Sequence, residues 1–109
     1  MKLKDPNDPR WTTSLSQIFE AGCRRIADST PRFWDLIDWL DDCLEHEPRS
    51  CGREVNLPEL FGSASMWVWE SPPIIGLKLL RVLYRIEDED RKVILCHVSA
   101  TDLPDFGVL

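Results

Sequence analysis

The chain is predicted to be a single α+β domain, with an N-terminal antiparallel helical hairpin packed on one face of a small twisted antiparallel sheet. Three observations predict it. Residues 76–99, GLKLLRVLYRIEDEDRKVILCHVS, alternate in side-chain character on either side of a charged loop. Residues 31–47 carry apolar side chains at helical spacing. The order along the chain is helix, helix, strand, strand, strand, which sets helices against one side of a sheet.

Residues 1–12 hold Pro6 and Pro9 among polar side chains and read as an extended arm, with Trp11 as its anchor. Ser14 and Gln17 fit a capping box, in which each side chain satisfies a free backbone donor at a helix start. Leu15, Ile18, Phe19, Gly22 and Ile26 then recur at helical spacing, so a first helix is expected to about Asp28. Thr30 suits the N-cap of the next helix, and Pro31 its first position, where a missing N–H costs nothing. Phe33, Leu36, Ile37, Leu40 and Leu44 form the apolar stripe of that helix. Asp35, Asp38, Asp42 and Glu45 lie opposite, as a solvated side. Pro48 ends the helix by disfavouring helical backbone at the residue before it. The connection is short, so the two helices (residues 14–47) fold back on each other.

Residues 49–65 read as irregular, and residues 66–70 as a short strand with Trp67 and Trp69 on one face. In the hairpin that follows, Leu80, Val82, Tyr84 and Ile86 share a face, and Leu79, Arg81, Leu83 and Arg85 share the other. On its second strand Ile94, Cys96 and Val98 form one set, and Val93, Leu95 and His97 the other. Bringing the all-apolar sets together pairs even-numbered residues with even ones. Ile86 then opposes Lys92, and Arg81 lies directly across from His97 on the non-core face. Leu79, Leu83, Val93 and Leu95 would make that face too apolar to stand bare in water. A cover is therefore expected: a partner's segment, a second copy of the chain, or the chain's own arm. The tail, residues 100–109, holds Pro104 and Gly107 and is too short for a stable helix.

A chain of 109 residues is one domain with room for a hydrophobic core. A net charge of −6 repels nucleic acid at long range and argues against a simple RNA- or DNA-binding module. Five tryptophans imply heavy aromatic packing or an aromatic binding surface. Four cysteines without CxxC spacing, and no apolar leader before them, point to a reduced, cytoplasmic setting. No apolar run approaches the roughly 18 to 20 residues that span a bilayer. No cofactor motif is read. Cys43, His46 and Cys51, with Cys23, are zinc-ligand types, but they lack the close pairing of a zinc knuckle, and no metal site is assigned to them.

The helix Trp39-Leu40-x-x-x-Leu44-x-x-x-Pro48, then Cys51-Gly52-Arg53-Glu54 and Leu57-Pro58-Glu59-Leu60, together with Leu80-Arg81-Val82-Leu83-Tyr84-Arg85-Ile86 before an acidic turn and Val93-Ile94-Leu95, resembles the RelE/ParE toxin superfamily of bacterial type II toxin–antitoxin systems. The likeness covers about residues 31–99. It implies a microbial RNase-type fold and a cognate antitoxin as partner. The target it implies is either mRNA on the ribosome, cleaved by an endoribonuclease, or DNA gyrase, inhibited without cleavage. By position, Arg81 matches the sheet arginine that contacts the scissile phosphate, and His97 stands where some members place a general acid or base. Arg85 adds to the positive field. Attack by a 2′-hydroxyl needs a base that works near neutrality, and a cation at the developing phosphorane. Three departures are visible. The superfamily's first strand is weak or absent, the tail lacks further arginine or tyrosine, and a basic surface is replaced by net negative charge. The last two favour a degenerate member that keeps the partner-binding sheet without chemistry; a homodimer is a separate expectation.

Overall fold

A computed structural model describes residues 10–55, 65–74 and 76–102. Its elements are β1 (Thr12–Leu15), α1 (Gln17–Ile26), a 3-10 turn (Ala27–Ser29), α2 (Phe33–His46), α3 (Pro48–Cys51), β2 (Arg53–Val55), β3 (Met66–Glu70), β4 (Leu79–Glu87) and β5 (Lys92–Thr101). The sheet runs β1-β5-β4-β3-β2. β1 lies parallel to β5 and every other pairing is antiparallel. The architecture is α+β, as expected, but the sheet is mixed and holds two strands beyond the predicted three.

Those two strands were hidden for different reasons. β1 is Thr-Thr-Ser-Leu, too polar to read as a strand, and its Ser14 resembles a helix cap. The cap is Ser16 instead, whose hydroxyl accepts from the Phe19 N–H at 3.1 Å. β2 is three residues long and sits at the far edge of the sheet. Residues 57–60, part of the resemblance, lie outside the described residues, as do the arm before Arg10 and the tail after Asp102.

α2 presents the expected stripe: Phe33, Leu36, Leu40 and Leu44 are buried. Its start differs from the prediction. Arg32, in the left-handed region at φ 57°, takes the N-cap position and makes no side-chain cap. Thr30 is buried instead of capping. Pro48 does terminate α2, and it also opens the short α3 at its first turn.

The core joins α1 and α2 to one face of the sheet through Phe19, Phe33, Leu40 and Leu44 against Leu80, Val82, Tyr84, Val93, Leu95 and Val98. α1 lies close over β5, and Gly22 allows it: a Cβ there would fall 2.8 Å from Val98 Cγ1. At the other end of the sheet Tyr84 donates to the Pro48 carbonyl at 2.7 Å. A Cβ on Gly52 would meet the Val68 carbonyl oxygen at 2.2 Å and the Tyr84 hydroxyl at 2.8 Å, so only glycine lets the α3–β2 connection cross here. Burial pushes the Tyr84 hydroxyl up to about 12.

The cysteines correct the sequence reading directly. Cys43 and Cys51 form a disulfide that clips α3 to the end of α2, with Cα atoms 6.2 Å apart. Both are thereby removed from any zinc set, and His46 Nδ1 sits 2.8 Å from the Asp42 carbonyl oxygen. Cys23 and Cys96 remain free thiols. Among the described residues no helix is long and apolar enough to cross a membrane.

Candidate active site on the open face of the sheet

β4 alternates as predicted. Leu80, Val82 and Tyr84 face the helices, while Arg81, Leu83 and Arg85 face away. β5 does not keep one parity. Tyr84 pairs with Leu95 and Ile86 with Val93, so Val93 and Leu95 are core residues and not members of the open face. Beyond Cys96 the pairing shifts by one residue: Leu83 opposes His97, Val82 opposes Val98, and Arg81 opposes Ser99. Cys96 is the extra residue of a β-bulge. The expected pairings of Ile86 with Lys92 and Arg81 with His97 are both wrong, because a single register cannot bury Val93, Leu95 and Val98 together.

The bulge has its own supports. An extra residue leaves backbone groups without ladder partners, and these need other bonds. The Ser16 hydroxyl donates to the Cys96 carbonyl at 3.1 Å, and the Ser16 N–H donates to the Leu95 carbonyl at 3.0 Å. One serine thus caps α1 and secures the bulge.

Arg81 and His97 are both exposed on the open face, as diagonal neighbours across β4 and β5. Diagonal positions on a sheet stand roughly 7–8 Å apart, within reach of a long side chain. Arg85 lies on the same face beyond Leu83, where its guanidinium donates to Glu87 at 3.3 Å near the hairpin turn. The structure does not gather it with Arg81. Tyr84 is fully buried under the sheet and plays a packing role.

Two residues that sequence reasoning missed complete the cluster. Glu70, at the end of β3, lies directly across from Arg81, with Oε2 3.5 Å from Arg81 Nη2. Its Oε1 is 2.9 Å from Arg53 Nη1 on β2. Glu70 alternates with Trp69 and Trp67, so parity alone would have put it on Arg81's face. Arg53 had no such signal, since its strand is too short to show alternation. The resulting grid reads Glu70, Arg81 and Ser99 in one row, and Arg53, Val68, Leu83 and His97 in the next.

The face is also apolar, as anticipated: Leu79 and Leu83 lie on it as expected, while Met66, Val68 and Ile94 stand in for Val93 and Leu95. Met66 and Val68 are buried on it, and Leu79, Leu83 and Ile94 are half-buried. Cys96 is half-buried beside His97, and burial raises its thiol while the Arg85 charge partly offsets this. A carboxylate, a bidentate-capable guanidinium and an imidazole thus share a rigid surface with a low-polarity floor. Glu70 and His97 are two strands apart and one row offset, roughly 12 Å between their backbones, with Arg81 between them. That spacing admits a phosphodiester over Arg81, with a proton acceptor on one side and an imidazole on the other.

No family model matches the chain, and no curated protein matches it in sequence. Among solved structures, a chain of the RelBE2 toxin–antitoxin complex from Mycobacterium tuberculosis superposes with a TM-score of 0.60 at 17% identity. The match covers 84% of this chain and 98% of that one. The protein therefore has a RelE-like fold, the class that the sequence resemblance implied.

Proposed function

We propose that the chain is the RelE-like toxin of a toxin–antitoxin pair, and that it cleaves RNA on the open face of its sheet. The observation that carries this reading is the Glu70–Arg81 pair set diagonally from His97 on one rigid surface. The chemistry is transesterification. Glu70 accepts the proton of a ribose 2′-hydroxyl, whose oxygen attacks the adjacent phosphorus. Arg81, with Arg53 behind it, holds the phosphate and offsets the charge gathering on its oxygens. His97 protonates the departing 5′-oxygen. The products are a 2′,3′-cyclic phosphate and a free 5′-hydroxyl, and neither water nor metal enters this step.

Support for the antitoxin partner comes from the fold and from the apolar open face, which a wrapping segment would dry. The likeness at 17% identity carries the fold, and the assignment of toxin activity rests on the cluster itself.

A second reading has its own support. The Glu70 carboxylate engages both Arg53 and Arg81, and the chain carries a net charge of −6. Both features weaken attraction for RNA and fit a protein that binds its partner and cuts nothing. Inducible expression in bacteria separates the two. Wild type should arrest growth and leave mRNA fragments with cyclic phosphate ends, and Arg81→Ala and His97→Ala should do neither. Normal growth with intact mRNA favours the binding protein, and arrest with DNA damage favours a gyrase inhibitor.

A further inference from the structure

The far edge of the sheet is held by a covalent tie that the ribonuclease reading does not use. α3 has only four residues, too few to hold itself as a helix. Its first two residues have partners of their own. The Pro48 carbonyl accepts from Tyr84 at 2.7 Å, and the Arg49 guanidinium reaches Asp88 at 2.7 Å. Its last residue, Cys51, is fixed to α2 by the bond to Cys43. Two positions on, Arg53 begins β2, an edge strand of three residues with β3 as its neighbour in the sheet.

Arg53 is where this edge meets the site. Glu70 is shared, with Oε1 2.9 Å from Arg53 and Oε2 3.5 Å from Arg81. While Arg53 is in place it takes up part of the carboxylate's charge, and Arg81 keeps N–H donors for a phosphate. If β2 leaves the edge, the carboxylate turns to Arg81 alone. An ion pair with so exposed an arginine is weak and cannot hold β2 by itself. The position of Arg53 therefore depends on what anchors the chain just before it. Neither cysteine of that anchor is buried, so a thiolate can reach the sulfurs. The two cysteines are eight positions apart, and closing so short a loop stabilises the whole fold less than closing a long one. The constraint is local, at the end of α3 that leads into β2.

We propose that the Cys43–Cys51 disulfide is a redox switch that sets the geometry of the Glu70–Arg81 pair through Arg53, and that its reductant is a dithiol. One thiolate of the reductant attacks a cysteine sulfur and displaces the other cysteine as a thiolate. The reductant's second thiol then displaces the first cysteine and closes the reductant's own disulfide. Two electrons and two protons pass to the protein, and the oxidised dithiol leaves. In the disulfide form Arg53 stands beside Glu70, and Arg81 is available to a phosphate. In the dithiol form the end of α3 and β2 loosen, and Glu70 closes on Arg81. The effect on geometry stands by itself, whereas the effect on rate rests on the ribonuclease reading.

The full chain is compared by NMR before and after dithiothreitol, with circular dichroism to show that both forms are folded. On reduction the order parameter of the Arg53 amide should fall from about 0.85 to below about 0.6. The Arg81 Nε–H and Glu70 carboxyl signals should move. Arg53→Ala should move those two signals the same way with the bond intact, and dithiothreitol should then add little. The Cys43→Ser/Cys51→Ser double variant should match the reduced chain and ignore the reagent. Reduction should slow RNA cutting about tenfold, the worth of one hydrogen bond to a charged group. Arg81 and Glu70 signals that reduction leaves in place overturn the proposal, as does a rigid Arg53 in the reduced chain. So does a response to dithiothreitol in the double variant, which assigns the effect to Cys23 or Cys96. RNA cut equally fast in both forms overturns the switch and keeps the ribonuclease reading. Signals that move as expected in a chain that cuts no RNA in either form uphold the switch and remove that reading.

Discussion

The two faces of β4 differ more sharply than any two regions of the molecule. On one, Leu80, Val82 and Tyr84 have no accessible surface and lock the sheet to the helices. On the other, Arg81 is 51% exposed and its ionic partner Glu70 is 28% exposed. The period of two assigns stability to alternate residues and leaves the intervening ones free for chemistry. Stability and activity should therefore respond to different substitutions on the same strand.

The largest expected effect tests the buried face. Leu40→Ala should cost about 2–5 kcal/mol in urea unfolding, since it removes a fully buried side chain and leaves a cavity. Opening the Cys43–Cys51 clip with a dithiol, or by Cys51→Ser, should cost about 2 kcal/mol, because the unfolded chain regains the freedom the clip removes. A similar loss should appear at high pH. The neutral Tyr84 phenol is the form that folding favours, so its contribution is complete below the ordinary tyrosine value of about 10. That contribution then falls as pH rises toward about 12. The amount at stake is on the order of 2 kcal/mol, and Tyr84→Phe should flatten that alkaline limb in thermal melts at graded pH.

Ser16→Ala should cost about 1 kcal/mol, the worth of a helix cap, and should move the amide signals of Cys96 and His97 in an NMR spectrum. If the His97 signal stays fixed, the bulge does not need its serine. The smallest effect on stability belongs to the open face. Arg81→Ala should change the unfolding free energy by no more than about 0.5 kcal/mol, yet abolish the RNA cleavage proposed for the open face. A variant that unfolds readily would merge the two faces and break the comparison.

Much of this arrangement is written in the sequence, and the exceptions have physical reasons. The β4–β5 hairpin, the strand of Trp67 and Trp69, and the buried stripe of α2 all come from strong apolar periodicity. The bulge is invisible because both parities of β5 are apolar: Val93 and Leu95 on one, Ile94, Cys96 and Val98 on the other. Either register looks acceptable until α1 is known to sit over Val98. β1 hides because a strand held by backbone bonds at a sheet edge needs no greasy side chains. The disulfide hides because its cysteines are eight positions apart, and only the turn at Glu47–Pro48 brings them together. Of the site, Arg81 and His97 were legible as partners on one face, although their register was not. Glu70 was legible by parity and overlooked at the end of its strand. Arg53 depends on an edge pairing that no local pattern announces.

Among the described residues β1 has a single neighbour in the sheet, and that neighbour, β5, is the strand farthest from it along the sequence. Thr12 must wait for Lys92, 80 positions later, before it can join the sheet. Contacts so distant along a polypeptide are slow to close and are made late. His97 arrives on the same late strand, and with it the last side chain of the open-face cluster. The cluster of Glu70, Arg81 and His97 is thus incomplete until β5 has joined the sheet.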